Sequence, residues 1–123
     1  MTAPRLRLPC SRRIKQGRDF TRVKTQGRRL IQGCLILNWL PLNAGASSRL
    51  GVITSRKLGN AVVRSRGRRL MREVFRLHQN DLAQPLDLVL VARPSLAEKE
   101  FAEVERDYLE GLRRAQLLKA LSA

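Results

Sequence analysis

The spacing of apolar and polar residues along the chain predicts a mixture of strands and helices. The strand-like stretches are 28–41, 49–55 and 87–93, and Gly33 divides the first of them into a short strand and a longer one. Helical spacing covers 17–27, 60–78 and about 97–119. The predicted order is therefore helix, strand, strand, strand, helix, strand, helix. This order indicates an α/β sandwich in which helices cover a small sheet.

In the helix predicted for 60–78, apolar and basic residues separate onto different sides. At about 100° per residue, the apolar stripe consists of Val63, Gly67, Leu70, Val74 and Leu77. Across an arc of about 140° on the other side lie Arg64, Arg68, Arg69, Arg72 and Arg76. Like charges one turn apart cost a few tenths of a kcal/mol each. A merely solvated face is therefore disfavoured, and a polyanionic partner is indicated.

Composition and charge narrow the class of partner. The 123 residues fit one domain, and the net charge is +15. The balance is +17 over residues 1–76 and −2 over residues 77–123, and 20 of the 25 basic residues are Arg. Arginine suits phosphate recognition, so this bias favours nucleic acid, with a generically basic protein as the alternative. Residues 1–13 are predicted to form a basic arm, and the sequence leaves open whether the arm is ordered before a partner binds.

The candidate catalytic groups are few. His78 is the only histidine, and a structural role suits it better than a catalytic one. In the basic part of the chain, the carboxylates Asp19 and Glu73 have no partners that would form a metal pair or an acid–base dyad. Cys10 and Cys34 fit neither a disulfide framework nor a zinc site, and they favour a reducing cytoplasm. We expect no catalytic residue, no protein metal site, no small-molecule substrate and no membrane partner.

One stretch resembles a known family signature. SRKLGNAVVRSRGRRLMRE, residues 55–73, resembles the basic motif and helix of the bacterial ribonuclease P protein subunit. RDFTRVKTQGR is similar to the first helix of that family, RLGVITSRK to the strand that enters the motif, and DLVLVARP to the final strand. The resemblance implies a four-stranded mixed sheet with three helices and a left-handed βαβ crossover, a fold also found in a small-subunit ribosomal protein.

The resemblance also implies a function. The family is part of a ribonucleoprotein endonuclease that removes the 5′ leader from precursor tRNA, and its catalytic RNA subunit holds the active site and Mg²⁺. By position, the residues implied to bind the catalytic RNA are Arg56, Lys57, Asn60, Arg64, Ser65, Arg66, Arg68, Arg69 and Arg72. Those implied to line a cleft for the single-stranded leader are Phe20, Val23, Lys24, Ile36 and Asn38. For Phe20, a place in the core is equally compatible with the pattern.

The chain departs from the family pattern at four positions. Ser65 stands where Asn is usual, and Gly67 replaces a branched apolar residue at a cost of roughly 1 kcal/mol in helix propensity relative to Ala. Lys24 and Asn38 occupy positions where many members carry aromatics. We therefore expect leader binding to depend more on charge and less on stacking than is usual in the family.

Two other functions compete with this interpretation. A structural RNA-binding protein of the small ribosomal-protein type would carry similar basic segments. A protein-only nuclease would need a cluster of carboxylates, which the basic part of the sequence lacks.

Overall fold

A computed structural model describes residues 12–119 of the chain. Its helices and strands follow the predicted order: α1 (Gly17–Gln26), β1 (Arg28–Gln32), β2 (Leu35–Pro41), β3 (Arg49–Ile53), α2 (Ala61–His78), β4 (Leu86–Ala92) and α3 (Phe101–Arg114). Most of the predicted basic arm lies outside the described residues. Residues 12–14 run beside β3, where the Ile14 N–H donates to Leu50 O at 2.8 Å.

The four strands form one mixed sheet in the order β1-β2-β4-β3. β2 pairs antiparallel with both β1 and β4, whereas β3 pairs parallel with β4. The connection from β3 to β4 therefore crosses over through α2. The predicted fold of three helices around a four-stranded mixed sheet is confirmed. The left hand of the crossover stays a prediction of the resemblance.

Alternation along the strands gives the sheet two different faces. One face carries Leu37, Leu88 and Leu90 and is covered by α2 and α3, which contribute Phe75 and Tyr108 to the main core. The other face is covered in part by α1, whose Val23 packs with Ile14 and Val89 in a second, smaller core. Because α1 covers only part of this second face, the rest is open to a ligand.

The buried stripe of α2 differs from the predicted one. Its fully buried members are Gly67, Met71, Val74 and Phe75, so the stripe lies about 65° around the helix from the predicted centre. Val63 and Leu70 are only partly buried. The difference arises because α2 packs against both β3 and the turn at 94–98. Leu58 and Leu96 contact the helix at Gly67.

The last helix is shorter than predicted. A separate 3₁₀ turn occupies Pro94–Glu98, and α3 starts after Glu100, whose side chain forms a capping box with Glu103. The helix ends at Arg114, and Gln116 has a positive φ of 61°. The capping box marks the start of α3 and the positive φ follows its end, so the helix is shorter at both ends than the predicted range of about 97–119.

Candidate nucleic-acid interface

The chain enters α2 through a 3₁₀ turn that presents two cations. Arg56 and Lys57 are exposed on a 3₁₀ turn whose third residue, Leu58, is buried. Gly59 then adopts a φ of +149°, a conformation that residues with a Cβ rarely adopt. Asn60 caps the helix, since its Oδ1 accepts from the Val63 N–H at 3.0 Å. The side-chain oxygen of Asn60 is therefore used in capping the helix, whereas Arg56 and Lys57 remain available to a ligand.

Arginines converge on a groove of about 380 Å³ along α2. It is lined by Arg13, Ser65, Arg68, Arg69, Arg72, Glu73 and Arg76. We call this surface the arginine groove. Arg13 comes from the segment beside β3 rather than from the helix, and its Nε is buried with no hydrogen-bond partner among the described residues. Burial, together with the charges of Arg13 and Arg68, lowers the pKa of Arg72.

Acidic side chains compensate little of the positive charge of the arginine groove. Its one carboxylate, Glu73, accepts from Arg76 Nε at 3.0 Å, and this hydrogen bond lowers the pKa of Glu73. The remaining arginines of the groove face one another without an acidic partner among the described residues. An anion bound here would relieve the repulsion, so the groove suits a phosphate backbone.

Ser65 holds one of these arginines in place. Its Oγ accepts from Arg68 Nη2 at 3.1 Å, and Arg68 Nη1 donates to Thr54 Oγ1 at 2.9 Å. Because Thr54 directly follows β3, Arg68 joins the arginine groove to the edge of the sheet. The serine that departs from the family pattern therefore has a structural partner.

Two predicted RNA-binding arginines of α2 lie outside the groove. Arg66 is about 120° around the helix from Arg72, and its Nη2 donates to Lys99 O at 2.7 Å. Arg64 is partly buried, and its Nε has no hydrogen-bond partner among the described residues. The structure thus brings Ser65, Arg68, Arg69 and Arg72 together in the groove, with Arg64 one helical turn before Arg68 and Arg66 on another side of the helix.

The open part of the sheet forms a second candidate site. Strand pairing aligns Ile31, Ile36, Val91 and Ile53 in one row across all four strands on the α1 side. Ile31, at the end of this row, is 47% exposed. A cleft of about 340 Å³ between this row and α1 is lined by Lys24, Arg29, Ile36, Asn38 and Val91. We call this surface the sheet cleft.

The sheet cleft contains three of the five predicted leader-binding residues. Lys24, Ile36 and Asn38 line it together. Val23 does not line the cleft, because its side chain is fully buried between α1 and the sheet. Phe20 lies instead against the bare backbone of Gly51, where an added Cβ would be 2.5 Å from Phe20 Cε1. Phe20 lines a separate hollow with Arg13 and Arg72, two residues that also line the arginine groove.

An ion-pair network that sequence reasoning missed fixes α1 over the sheet. Asp87 of β4 is fully buried and accepts from Arg49 Nε at 2.9 Å and Arg49 Nη2 at 2.7 Å. Arg22 of α1 lies 3.4 Å from the same carboxylate, and Asp19 pairs with Arg22 and Arg49 at 3.5 and 3.7 Å. The sequence did contain a signal for this network: Asp87 begins the apolar run DLVLVAR, and an Asp that is buried in a strand is nearly always paired.

The described residues contain neither a reactive thiol nor a metal cluster. Burial, followed by the hydrogen bond and charge of Asp107, raises the pKa of the Cys34 thiol to about 12. Within 12–119, no group of three or more His, Cys, Asp or Glu side chains could hold a metal ion. Cys10 lies outside this range. In the same range, no helix is long and apolar enough to cross a membrane.

Comparison with known proteins identifies one family. The family model described as Ribonuclease P matches residues 8–116. The ribonuclease P protein component of Alkaliphilus metalliredigens is 35% identical over 106 residues, which cover 86% of this chain and 95% of the relative. The corresponding protein of Clostridium novyi is 37% identical, covering 85% of this chain and 94% of its own length.

Solved structures agree with the sequence comparison. The RNase P protein of Staphylococcus aureus superposes with a TM-score of 0.79 at 26% identity, covering 88% of this chain and 98% of that one. The RNase P protein of Thermotoga maritima gives a TM-score of 0.73 at 29% identity, with coverages of 83% and 96%. The similarity thus extends over nearly the whole length of both proteins.

Proposed function

Since this chain belongs to the ribonuclease P protein family and serves tRNA processing as the protein component of that enzyme, we propose a separate role for each of its two surfaces. The arginine groove, with Arg56 and Lys57, docks on the catalytic RNA. The sheet cleft holds the single-stranded 5′ leader of precursor tRNA. The family match supports this function over a structural protein of the ribosome.

The observation that carries the proposal is the different chemistry of the two surfaces. The arginine groove is cationic with a single carboxylate, as suits the sequence-independent binding of a folded RNA backbone. The sheet cleft has an apolar floor bordered by Lys24 and Arg29, which suits unpaired bases whose phosphates follow the cations. Arg68 donates to Thr54 at the end of β3, so the arginine groove adjoins the β3 edge of the sheet.

The proposal places the catalytic groups and Mg²⁺ on the RNA subunit. Two considerations support this placement. Asp19, Asp87 and Glu73 are all engaged by arginine, and His78 lies between Asp81 and Glu105. The protein would then act by positioning the leader and screening the repulsion between two RNAs. A cytoplasmic location, which the two cysteines suggested, belongs to the same proposal.

Reconstitution tests this function. Purified protein is added to its cognate catalytic RNA with precursor tRNA at low Mg²⁺, and 5′ maturation is measured. We expect the protein to stimulate maturation by the RNA and to cleave nothing alone. Cleavage by the protein in the absence of the RNA, or a failure to stimulate the RNA, would contradict the proposal.

A further inference from the structure

The arginines of the described residues differ in whether their guanidinium groups contact carboxylates or neutral oxygens. Arg49 is neutralised by Asp87, Arg76 by Glu73 and Arg113 by Glu110. Arg93 and Arg114 are held instead by neutral oxygens. A carbonyl or amide oxygen fixes the guanidinium without cancelling its charge, so both cations remain available to an anion.

Arg114 attaches to the end of β1, and Arg93 attaches to the turn that follows it. Arg114 Nη1 donates to Gln32 Oε1 at 2.7 Å and to Ile31 O at 3.3 Å. Arg93 Nη1 donates to Gly33 O at 2.9 Å. Two carboxylates of α3 lie near this turn. Asp107 accepts from the Cys34 N–H at 3.0 Å. Glu110 forms its ion pair with Arg113, and its pKa is lowered by the hydrogen bond to Arg113 and, to a smaller extent, by the charge of Arg114.

This turn lies at one end of the sheet cleft. Ile31 pairs with Ile36, so it continues the apolar floor to the β1 edge, where it is 47% exposed. An apolar contact bordered by two positioned guanidiniums is the combination that holds unpaired nucleotides, with a base on the apolar side chain and phosphates on the cations.

The position of the arginine groove gives the leader a direction. α2 packs beside β3 and α3 packs beside β1, at opposite edges of the sheet. The three strand spacings between these edges amount to about 14 Å. If the arginine groove docks on the catalytic RNA, the leader nucleotides near the cleavage point lie on the β3 side. Nucleotides further upstream then reach the β1 edge.

We propose that Arg114 and Arg93, together with Ile31, form a binding site for the phosphodiester backbone of upstream leader nucleotides, beyond the sheet cleft. The inference rests on the proposed function, because it extends a leader path through that cleft. It assigns a role to the end of α3 and to the residue after β4. Neither position was among the predicted site residues.

The test compares leaders of two lengths in the reconstituted complex. Precursor tRNAs with leaders of about 4 and about 16 nucleotides, the range of single-stranded site sizes in other folds, are bound to holoenzymes containing each protein variant. Arg114→Ala removes the proposed contact and Arg114→Lys keeps the charge. Arg113→Ala removes the same charge from the neighbouring, already neutralised residue. Lys24→Ala tests the cleft itself.

We expect Arg114→Ala to weaken binding of the long-leader substrate by roughly three- to tenfold and to leave the short-leader substrate unchanged. Arg114→Lys should retain most of the affinity, and Arg113→Ala should match wild type. Lys24→Ala should weaken binding of both substrates.

The outcomes separate this proposal from the function on which it rests. If Lys24→Ala weakens both substrates but Arg114→Ala weakens neither, the upstream site is overturned and the cleft stands. If Arg114→Ala weakens both substrates equally, the length-dependent site is likewise overturned. If neither variant affects either substrate, the leader cleft itself fails, and the upstream site fails with it.

Discussion

Asp87 is the residue whose environment matters most for the geometry of the sheet cleft. It is fully buried, and its two carboxylate oxygens accept from Arg49, a pairing that raises the pKa of Arg49. Arg22 and Asp19 extend the pairing to α1. A buried carboxylate that joins two strands to a helix fixes how α1 sits on the sheet, and α1 is one wall of the cleft.

Replacing Asp87 with Asn should destabilise the fold. The change leaves Arg49 and Arg22 without their buried counter-charge, and breaking a buried pair by removing one partner costs several kcal/mol. Because both arginines are partly exposed, we expect a smaller loss, about 2–3 kcal/mol in the free energy of unfolding measured with urea.

Glu110→Gln is the control for this prediction, because it removes a carboxylate from an exposed pair with Arg113 and should cause no measurable change. If Asp87→Asn and Glu110→Gln changed the free energy of unfolding equally, the buried network would contribute no more stability than an exposed ion pair.

Single residues also show what the sequence could predict of the site. Lys24, Ile36 and Asn38 share the sheet cleft as the resemblance implied. Val23 does not, because spacing places it one turn from Phe20 but cannot say which side of a short helix meets the sheet. The pairing of Asp87 with Arg49 depends on strands β3 and β4 being neighbours, which sequence separation hides.

At the scale of elements, the sequence pattern of α2 predicted the amphipathic helix correctly but placed its buried stripe at the wrong angle around the helix axis. A helix with one apolar and one basic side was predicted and is present. Its buried stripe is rotated toward Met71 and Phe75, and Gly67, which belongs to both the predicted and the observed stripe, lies close to Leu58 and Leu96. These two leucines occupy the space that a larger side chain would otherwise fill.

Gly67→Ile should therefore destabilise the protein, although the family usually has a branched apolar residue at this position. A Cβ at Gly67 would lie 2.9 Å from Leu58 Cδ2 and 3.4 Å from Leu96 Cδ2. Overpacking of this kind typically costs about 1–3 kcal/mol, and thermal or urea unfolding would measure it. Val62→Ile, at an exposed position of α2, is the matched control and should be neutral. An increase in stability for Gly67→Ile would contradict this explanation of the glycine.

The end of α2 is tied to α3 through His78. Its Nδ1 lies 2.8 Å from Asp81 Oδ2 and its Nε2 lies 2.8 Å from Glu105 Oε2. Burial alone lowers the pKa of His78, but hydrogen bonds with Glu105 and Asp81 outweigh it, so the pKa is raised above 6.5. The folded protein therefore binds this proton more tightly than the unfolded chain does.

The contribution of His78 to stability should depend on pH in one direction. It is complete below the unfolded pKa of about 6.5 and is lost as the pH rises through the higher folded value. We expect the difference in unfolding free energy between wild type and His78→Gln to be larger at about pH 5.5 than at about pH 8.5. A difference that stays constant with pH would mean that the imidazole is not charged in the fold.

At the scale of the whole molecule, the asymmetry of charge matches the division of the fold. Residues 1–76 carry a balance of +17 and include Arg13 and most of α2, which line the arginine groove. Residues 77–123 carry −2 and supply β4 and α3, which mainly complete the core. Charge alone favoured a nucleic-acid partner but left a generically basic protein as the alternative. The parallel pairing of β3 with β4 could not be predicted, because it is set by tertiary packing.

The central proposal is that the arginine groove binds the catalytic RNA, and the affinity for that RNA as a function of salt tests it most directly. Wild type, Arg72→Ala and the charge-matched control Arg113→Ala are each titrated against the catalytic RNA. We expect the logarithm of affinity to fall linearly with the logarithm of salt concentration for all three. Arg72→Ala should bind more weakly, with a slope smaller by about one, while Arg113→Ala should match wild type. If Arg72→Ala kept the affinity and salt slope of wild type, the groove would not be the docking surface.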